Sequence, residues 1–199
     1  MGNIKSIQNA LAYLGIENEV ISSPEQVAGS QKLILPGVGS FAKAMGNIER
    51  LGFLKPINTA VLMRKVPILG ICLGMQLFAE SGDEDGPKDG FGWIRGHVRR
   101  ISPKEGFKVP HIGFNTAYFS RSDNVLFEGL EARADFYFVH SYVLNCSCES
   151  DISSWTDNGE RFASSICREN VFGTQFHPEK SQHSGLRVLK NFASYERIC

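Results

Sequence analysis

Neither sign of charge predominates in this sequence: 21 basic residues stand against 21 acidic ones over 199 positions. There is no net field to draw in nucleic acid or an anionic membrane, so neither is expected as a partner. Long apolar runs are missing too. A membrane-spanning helix needs roughly 18 consecutive apolar residues; no stretch approaches that, and no charged-then-apolar leader begins the chain. The five cysteines are scattered without the spacing of a disulfide framework, which suits a reducing compartment. Cys146-Ser147-Cys148 is too tight for a zinc knuckle and has no second pair, so no metal and no cofactor are expected. Repeats, linkers and low-complexity segments are also lacking. What remains is one soluble cytoplasmic domain over residues 1–199, long enough to bury a sizeable core.

What is present centres on residues 66–78. The apolar run Val66-Pro67-Ile68-Leu69-Gly70-Ile71 has the length of a strand buried on both faces. A helical run carrying Met75, Leu77 and Phe78 is expected directly after Cys72. Gly70-Ile71-Cys72-Leu73-Gly74 has the Gly-x-nucleophile-x-Gly shape, in which a strand turns sharply into a helix and pushes the middle side chain outward. A thiol at a helix N-terminus is favoured as thiolate.

The rest of the first eighty residues alternates strands with helices. Ile4, Ile7, Leu11 and Leu14 form a helical stripe, with Asn3 as N-cap and Gly15 as stop. Glu19-Val20-Ile21 and Lys32-Leu33-Ile34-Leu35 read as strands, and Phe41 to Leu51 and residues 56–65 as helices. Alternation of this kind predicts an α/β fold with a mainly parallel central sheet flanked by helices. Sites in such sheets lie beyond the carboxyl ends of the strands. Cys72 and the turn Pro36-Gly37-Val38-Gly39-Ser40-Phe41, whose backbone N–H groups suit an anion, fall on that edge. Residues 82–90 read as a polar loop. Short strands at 92–101, 114–119, 135–144 and 161–167 then predict a smaller, partly antiparallel β region. A last helix carries Leu186, Leu189 and Phe192.

His177-Pro178-Glu179 is the second chemical feature. Strand alternation aims residues two apart at one place, and Pro178 ends the strand. A histidine that accepts a thiol proton while a carboxylate steadies its other nitrogen is a triad arrangement. Spacing does not by itself bring His177 to Cys72.

Gly70-Ile71-Cys72-Leu73-Gly74-Met75-Gln76 together with Gln175-Phe176-His177-Pro178-Glu179 resembles the class I glutamine amidotransferases, which hydrolyse glutamine to glutamate and ammonia. Within them, the turn at 36–41, Val109-Pro110-His111-Ile112-Gly113, Tyr137-Phe138-Val139-His140-Ser141-Tyr142 and His177-Pro178-Glu179-Lys180-Ser181 resemble the glutaminase subunits of imidazole glycerol phosphate synthase. The likeness runs from residue 1 to about 195. It implies the class I amidotransferase fold, with Cys72 as nucleophile, His177 as base and acid, and Glu179 as its orienting carboxylate. It implies oxyanion donors at Leu73 and at Val38 or Gly39, and glutamine contacts at Gln76, Glu84, Ser141 and Tyr142. Its partner is a (β/α)₈-barrel cyclase that receives ammonia away from solvent and makes imidazole glycerol phosphate in histidine biosynthesis. Asn3, His111, Phe114, Tyr137 and Lys180 match positions at or near that interface. His97 and His183 match nothing in the family.

Two departures accompany the likeness. The family opens with a short apolar strand before a Gly-x-Gly-Asn turn, whereas this chain begins Met1-Gly2-Asn3. The resemblance therefore implies a missing first strand, through truncation or a late start codon, and poor stability for the chain as written. Phe114 also stands where histidine-pathway enzymes usually carry tryptophan. A paralogous branch, which supplies ammonia for amidinating an acetamido sugar in bacterial surface-polysaccharide synthesis, is thus the alternative. A catalytically silent scaffold would be expected to lack Cys72, His177 or Glu179, and all three are present.

Overall fold

The structure, a computed structural model, describes residues 4–120 and 125–196. In chain order its elements are α1 (Ile4–Tyr13), β1 (Leu33–Gly37), α2 (Phe41–Arg50), α3 (Leu54–Asn58), β2 (Ile68–Cys72), α4 (Leu73–Gln76), β3 (Ala79–Gly82) and β4 (Lys88–Asp89). There follow β5 (Ile94–Arg100), β6 (His111–Phe119), β7 (Arg133–His140), β8 (Tyr142–Cys146), β9 (Ile152–Asp157), β10 (Arg161–Arg168), β11 (Val171–Thr174) and α5 (Gln182–Ser194).

Seven strands form a large sheet in the order β1-β2-β11-β10-β9-β6-β7, and four form a small one in the order β4-β3-β5-β8. β1, β2 and β11 run parallel, and every pairing from β11 onward to β7 is antiparallel. The alternating helices and strands at the start of the chain thus build the parallel end, and the later short strands build the rest.

Each face of the large sheet covers its own core. On one side Ile68 and Val171 pack with Phe41 and Met45 of α2, Ile57 of α3, and Ile94 and Val98 of the small sheet. On the other, Leu69, Ile71 and Phe172 pack with Ile7 and Leu11 of α1 and Val188, Leu189 and Phe192 of α5. Alternation along β2 and β11 gives each core its share, as a strand covered on both faces requires. No helix among the described residues is long and apolar enough to cross a membrane.

Several sequence expectations need correction. Residues 19–21 form no strand: Val20 is exposed, and the outer edge of β1 has no ladder partner among the described residues. The helix after Cys72 ends at Gln76, because Leu77 and Phe78 turn the chain into β3, which pairs with β5. The segment 135–144 is two strands, β7 in the large sheet and β8 in the small one, with Ser141 alone at the crossing. The loop at 82–90 holds the two-residue strand β4. β9 is a further strand whose inward residues are largely hydroxylated; Ser154 Oγ lies 2.8 and 2.7 Å from the Ser164 and Ser165 hydroxyls of β10. Residue 3, expected as the cap of α1, lies outside the described residues.

Candidate active site

Cys72 is the last residue of β2, and α4 begins at the next position. Its φ of 55° and ψ of −112° lie in a region that costs a non-glycine residue of order 1–3 kcal/mol. The strain persists because the turn is enclosed. A Cβ on Gly74 would stand 1.8 Å from the Leu35 carbonyl oxygen of β1, so only glycine lets α4 start this close to the sheet. The result is a buried thiol at the carboxyl edge of the parallel strands, beside the turn that follows β1. In that turn Gly39 has a φ of 102°, a left-handed conformation that favours glycine.

His177 follows β11 across the sheet. Its Nδ1 lies 2.8 Å from Glu179 Oε1, and both side chains are buried. The expected strand alternation is not what joins them. β11 ends at Thr174, and Pro178–Lys180 form a single 3₁₀ turn that folds Glu179 back onto the ring. The Cys72 thiol is the other hydrogen-bond partner of the imidazole. Burial works against a charged ring, but the hydrogen bonds and charges of Cys72 and Glu179 outweigh it and hold the His177 pKa up at about 9. Glu179 Oε2 is buried without a hydrogen-bond partner among the described residues.

A cavity of about 400 Å³ opens over the thiol. Val38, Gly39 and Leu73 line it on the nucleophile side, with His177 and Lys180 beside them. Gln76, Glu84, Ser141 and Tyr142, all anticipated from sequence, line it elsewhere. Glu84 also serves the scaffold: its Oε2 accepts from Phe41 N at 3.2 Å, at the start of α2. The N-cap hydroxyl of Ser40 makes no such bond. Desolvation raises the Glu84 pKa, against a lowering by the Phe41 N–H. Gln76 has both side-chain N–H groups engaged, with the Tyr142 carbonyl and Gln175 Oε1, each at 2.9 Å.

The residues expected at a partner interface divide. Phe114 is 52% exposed and lies in β6 two residues from Ile112, which is 60% exposed. Its ring centroid is 5.6 Å from that of Tyr137, and Lys180 Nζ is 5.5 Å from the Tyr137 centroid. An apolar strip with one cation therefore leads to the cavity rim. His111 is not on that surface. It is only 6% exposed, because its ring stacks on Phe138 and its Nδ1 lies 3.0 Å from His140 Nε2. Asn3 lies outside the described residues.

Sequence reading missed Gln175 and His140. Gln175 Nε2 is 3.6 Å from Cys72 Sγ, and His140 lines the cavity. Both stand inside motifs quoted for the family likeness, and that was their only sequence signal.

A strained cysteine on a strand-to-helix turn, bonded to a histidine that a buried carboxylate steadies, is the arrangement of an acyl-transfer nucleophile. Residues 1–194 match the family description "Glutamine amidotransferase class-I". The chain belongs to that family. Among curated relatives it is 43% identical over 192 residues to a Campylobacter jejuni protein named imidazole glycerol phosphate synthase subunit HisH 1, covering 96% of this chain and 94% of the relative. It is 45% identical over 197 residues to the Moorella thermoacetica protein named imidazole glycerol phosphate synthase subunit HisH, covering 99% and 92%. Solved structures share the fold at lower identity. A crystal structure of a glutamine amidotransferase matches with a TM-score of 0.74 at 20% identity, over 96% of this chain and 92% of the other. The structure of PurLQS from Thermotoga maritima matches with a TM-score of 0.74 at 17% identity, over 94% and 90%.

Proposed function

We propose that this amidotransferase is the glutaminase subunit of an imidazole glycerol phosphate synthase, acting in histidine biosynthesis. The observation that carries the proposal is Cys72, held at a strained turn, hydrogen-bonded to His177 and opening into a cavity of about 400 Å³. The Cys72 thiolate attacks the side-chain amide carbon of glutamine. His177, as imidazolium, passes its proton to the departing nitrogen, and ammonia leaves. A water then attacks the γ-glutamyl thioester while His177 takes a proton from it; the C–S bond breaks, glutamate leaves, and the thiolate and imidazolium are restored. Glu179 keeps the imidazole oriented through Nδ1. The tetrahedral oxyanion takes N–H groups from Leu73 and from Val38 or Gly39, each such donor being worth about 10²–10³ in rate.

Glu84, Ser141, Tyr142 and Gln76 hold the glutamine. The ammonium end of an amino acid suits Glu84, since an incoming cation compensates the desolvation that raises this carboxyl. Ammonia passes to a (β/α)₈-barrel cyclase docked on the strip of Ile112, Phe114 and Tyr137, with Lys180 at the rim. The names of the curated relatives, each a subunit, support a two-chain enzyme. Cys72, Cys146 and Cys148 are free thiols, which fits a single cytoplasmic domain.

The test is glutamine turnover by this chain with a histidine-pathway cyclase, with and without the cyclase's ribulose-phosphate ligand. Ligand-dependent stimulation that Cys72→Ala abolishes is the expected result. Turnover only beside a surface-sugar partner would instead assign the chain to that branch and make Phe114 its marker.

A further inference from the structure

Gln175 is fully buried and has no part in the reaction as written above. Its Nε2 is 3.6 Å from Cys72 Sγ, while its Oε1 accepts from Gln76 Nε2 at 2.9 Å. Those two contacts allow only one orientation of the amide. Gln76 is oriented in turn, because its other N–H goes to the Tyr142 carbonyl at 2.9 Å. The same carbonyl accepts from His140 Nδ1 at 2.9 Å, so His140 Nε2 carries no proton and accepts from His111 Nδ1 at 3.0 Å. His111 Nε2 is then bare as well and accepts from Asn115 Nδ2 at 3.2 Å. Asn115 cannot flip, since its Oδ1 accepts from Thr116 N at 2.8 Å and its Nδ2 donates to the Asp157 carbonyl at 2.9 Å. Backbone groups at Thr116, Asp157 and Tyr142 thus set every proton in the series, and the acceptor at its inner end is sulfur.

We propose that Gln175 is a thiolate donor: its side-chain N–H, held in one orientation by Gln76, bonds to ionised Cys72 Sγ and favours the nucleophilic form before glutamine arrives. A donor aimed at the charged form of a buried group stabilises that form. The Val139 carbonyl, 3.9 Å from Sγ, acts in the opposite sense, because it can only accept from the neutral thiol. The titratable groups facing the thiol's cavity are His177, backed by Glu179, with His140 of β7, Tyr142 of β8, Lys180, and Glu84 from the segment after β3. Gln175 is an uncharged donor within reach of the sulfur, and it comes from the segment joining β11 to His177. Its role rests on Cys72 being the nucleophile of the glutaminase.

Alkylation of Cys72 by iodoacetamide, followed against pH in the full chain, reads the ionisation of this thiol directly. Cys72→Ala supplies the background from the other cysteines. In Gln175→Met the midpoint is expected to rise by about one pH unit. An unchanged midpoint in a folded Gln175→Met overturns the proposal. The unsubstituted protein gives a second readout that does not depend on the variant folding. One side-chain amide proton of Gln175 is expected to shift in ¹H–¹⁵N spectra with the same midpoint as alkylation, and to stay fixed in Cys72→Ala. An amide resonance that does not follow Cys72 ionisation in the wild-type chain also overturns it. Failure of glutamine turnover beside every partner would remove the glutaminase reading and leave both readouts intact, so the two failures are distinguishable.

Discussion

At the parallel end of the large sheet, β2 and β11 deliver Cys72 and His177 through the turns that follow them. At the antiparallel end, β6 and β7 deliver His140 and the exposed Ile112 and Phe114 from strand faces. The two ends serve one cavity under different constraints. A turn places its side chain by backbone conformation, so its tolerance is set by sterics at a few atoms. A strand face places side chains by alternation, so the outward residues can change without disturbing the inward ones. The parallel end is therefore the rigid seat of the proposed chemistry, and the antiparallel end the adaptable surface proposed for a partner.

Gly74→Ala is the sharpest way to break the rigid end. The new methyl would stand 1.8 Å from the Leu35 carbonyl oxygen, a backbone atom that no side-chain rotation can move away. We expect loss of glutamine turnover and at least about 3 kcal/mol of destabilisation, the upper range for overpacking, read by urea unfolding. Phe114→Ala should do the reverse. Stability should stay within about 0.5 kcal/mol, as for surface substitutions, while affinity for the cyclase falls about tenfold, a cost typical of a partly buried aromatic contact. Titration of the complex by calorimetry measures this; a substitution at Phe114 that unfolds the chain would erase the proposed distinction.

The smallest effect is on acid stability. Burial holds His111 near pKa 4 and, more strongly, His140 near 3, against 6.5 for a free histidine. Below pH 6.5 the unfolded chain takes up protons that these rings refuse, so stability falls as the pH drops from 6.5 toward 4. His177, whose pKa is raised to about 9, contributes in the other window: its stabilisation is complete below 6.5 and is lost as pH rises through 9. His140→Gln should flatten the acid slope seen in urea unfolding between pH 7 and 5, and an unchanged slope would place its origin elsewhere.

The parallel end was the more legible in sequence for the same physical reason. A strand-turn-helix with its glycines is a local pattern, and residues 66–74 carry all of it. The antiparallel end depends on distant pairings. β9 escaped notice because Ser153, Ser154 and Thr156 are buried without being apolar; Ser154 is satisfied by hydroxyls of β10, which no periodicity reveals. β7 and β8 read as one strand because a single residue, Ser141, separates two sheets. Residues 19–21 had strand composition, but pairing decides a strand, and none among the described residues reaches them. At the site, residues lining the cavity were found through motifs. Gln175 went unassigned because its role depends on the direction of another amide, and His111 was placed outside because burial by stacking leaves no trace in sequence.

β2 is the wall shared by the two cores: Ile68 belongs to one, Leu69 and Ile71 to the other, and Cys72 ends the same strand. Neither half can melt alone without releasing this strand. Unfolding should accordingly be cooperative, with no populated intermediate that retains a working nucleophile. Loss of iodoacetamide selectivity at Cys72 and loss of helical signal would then share one denaturant midpoint, so the reactivity of a single thiol reports the integrity of the whole molecule.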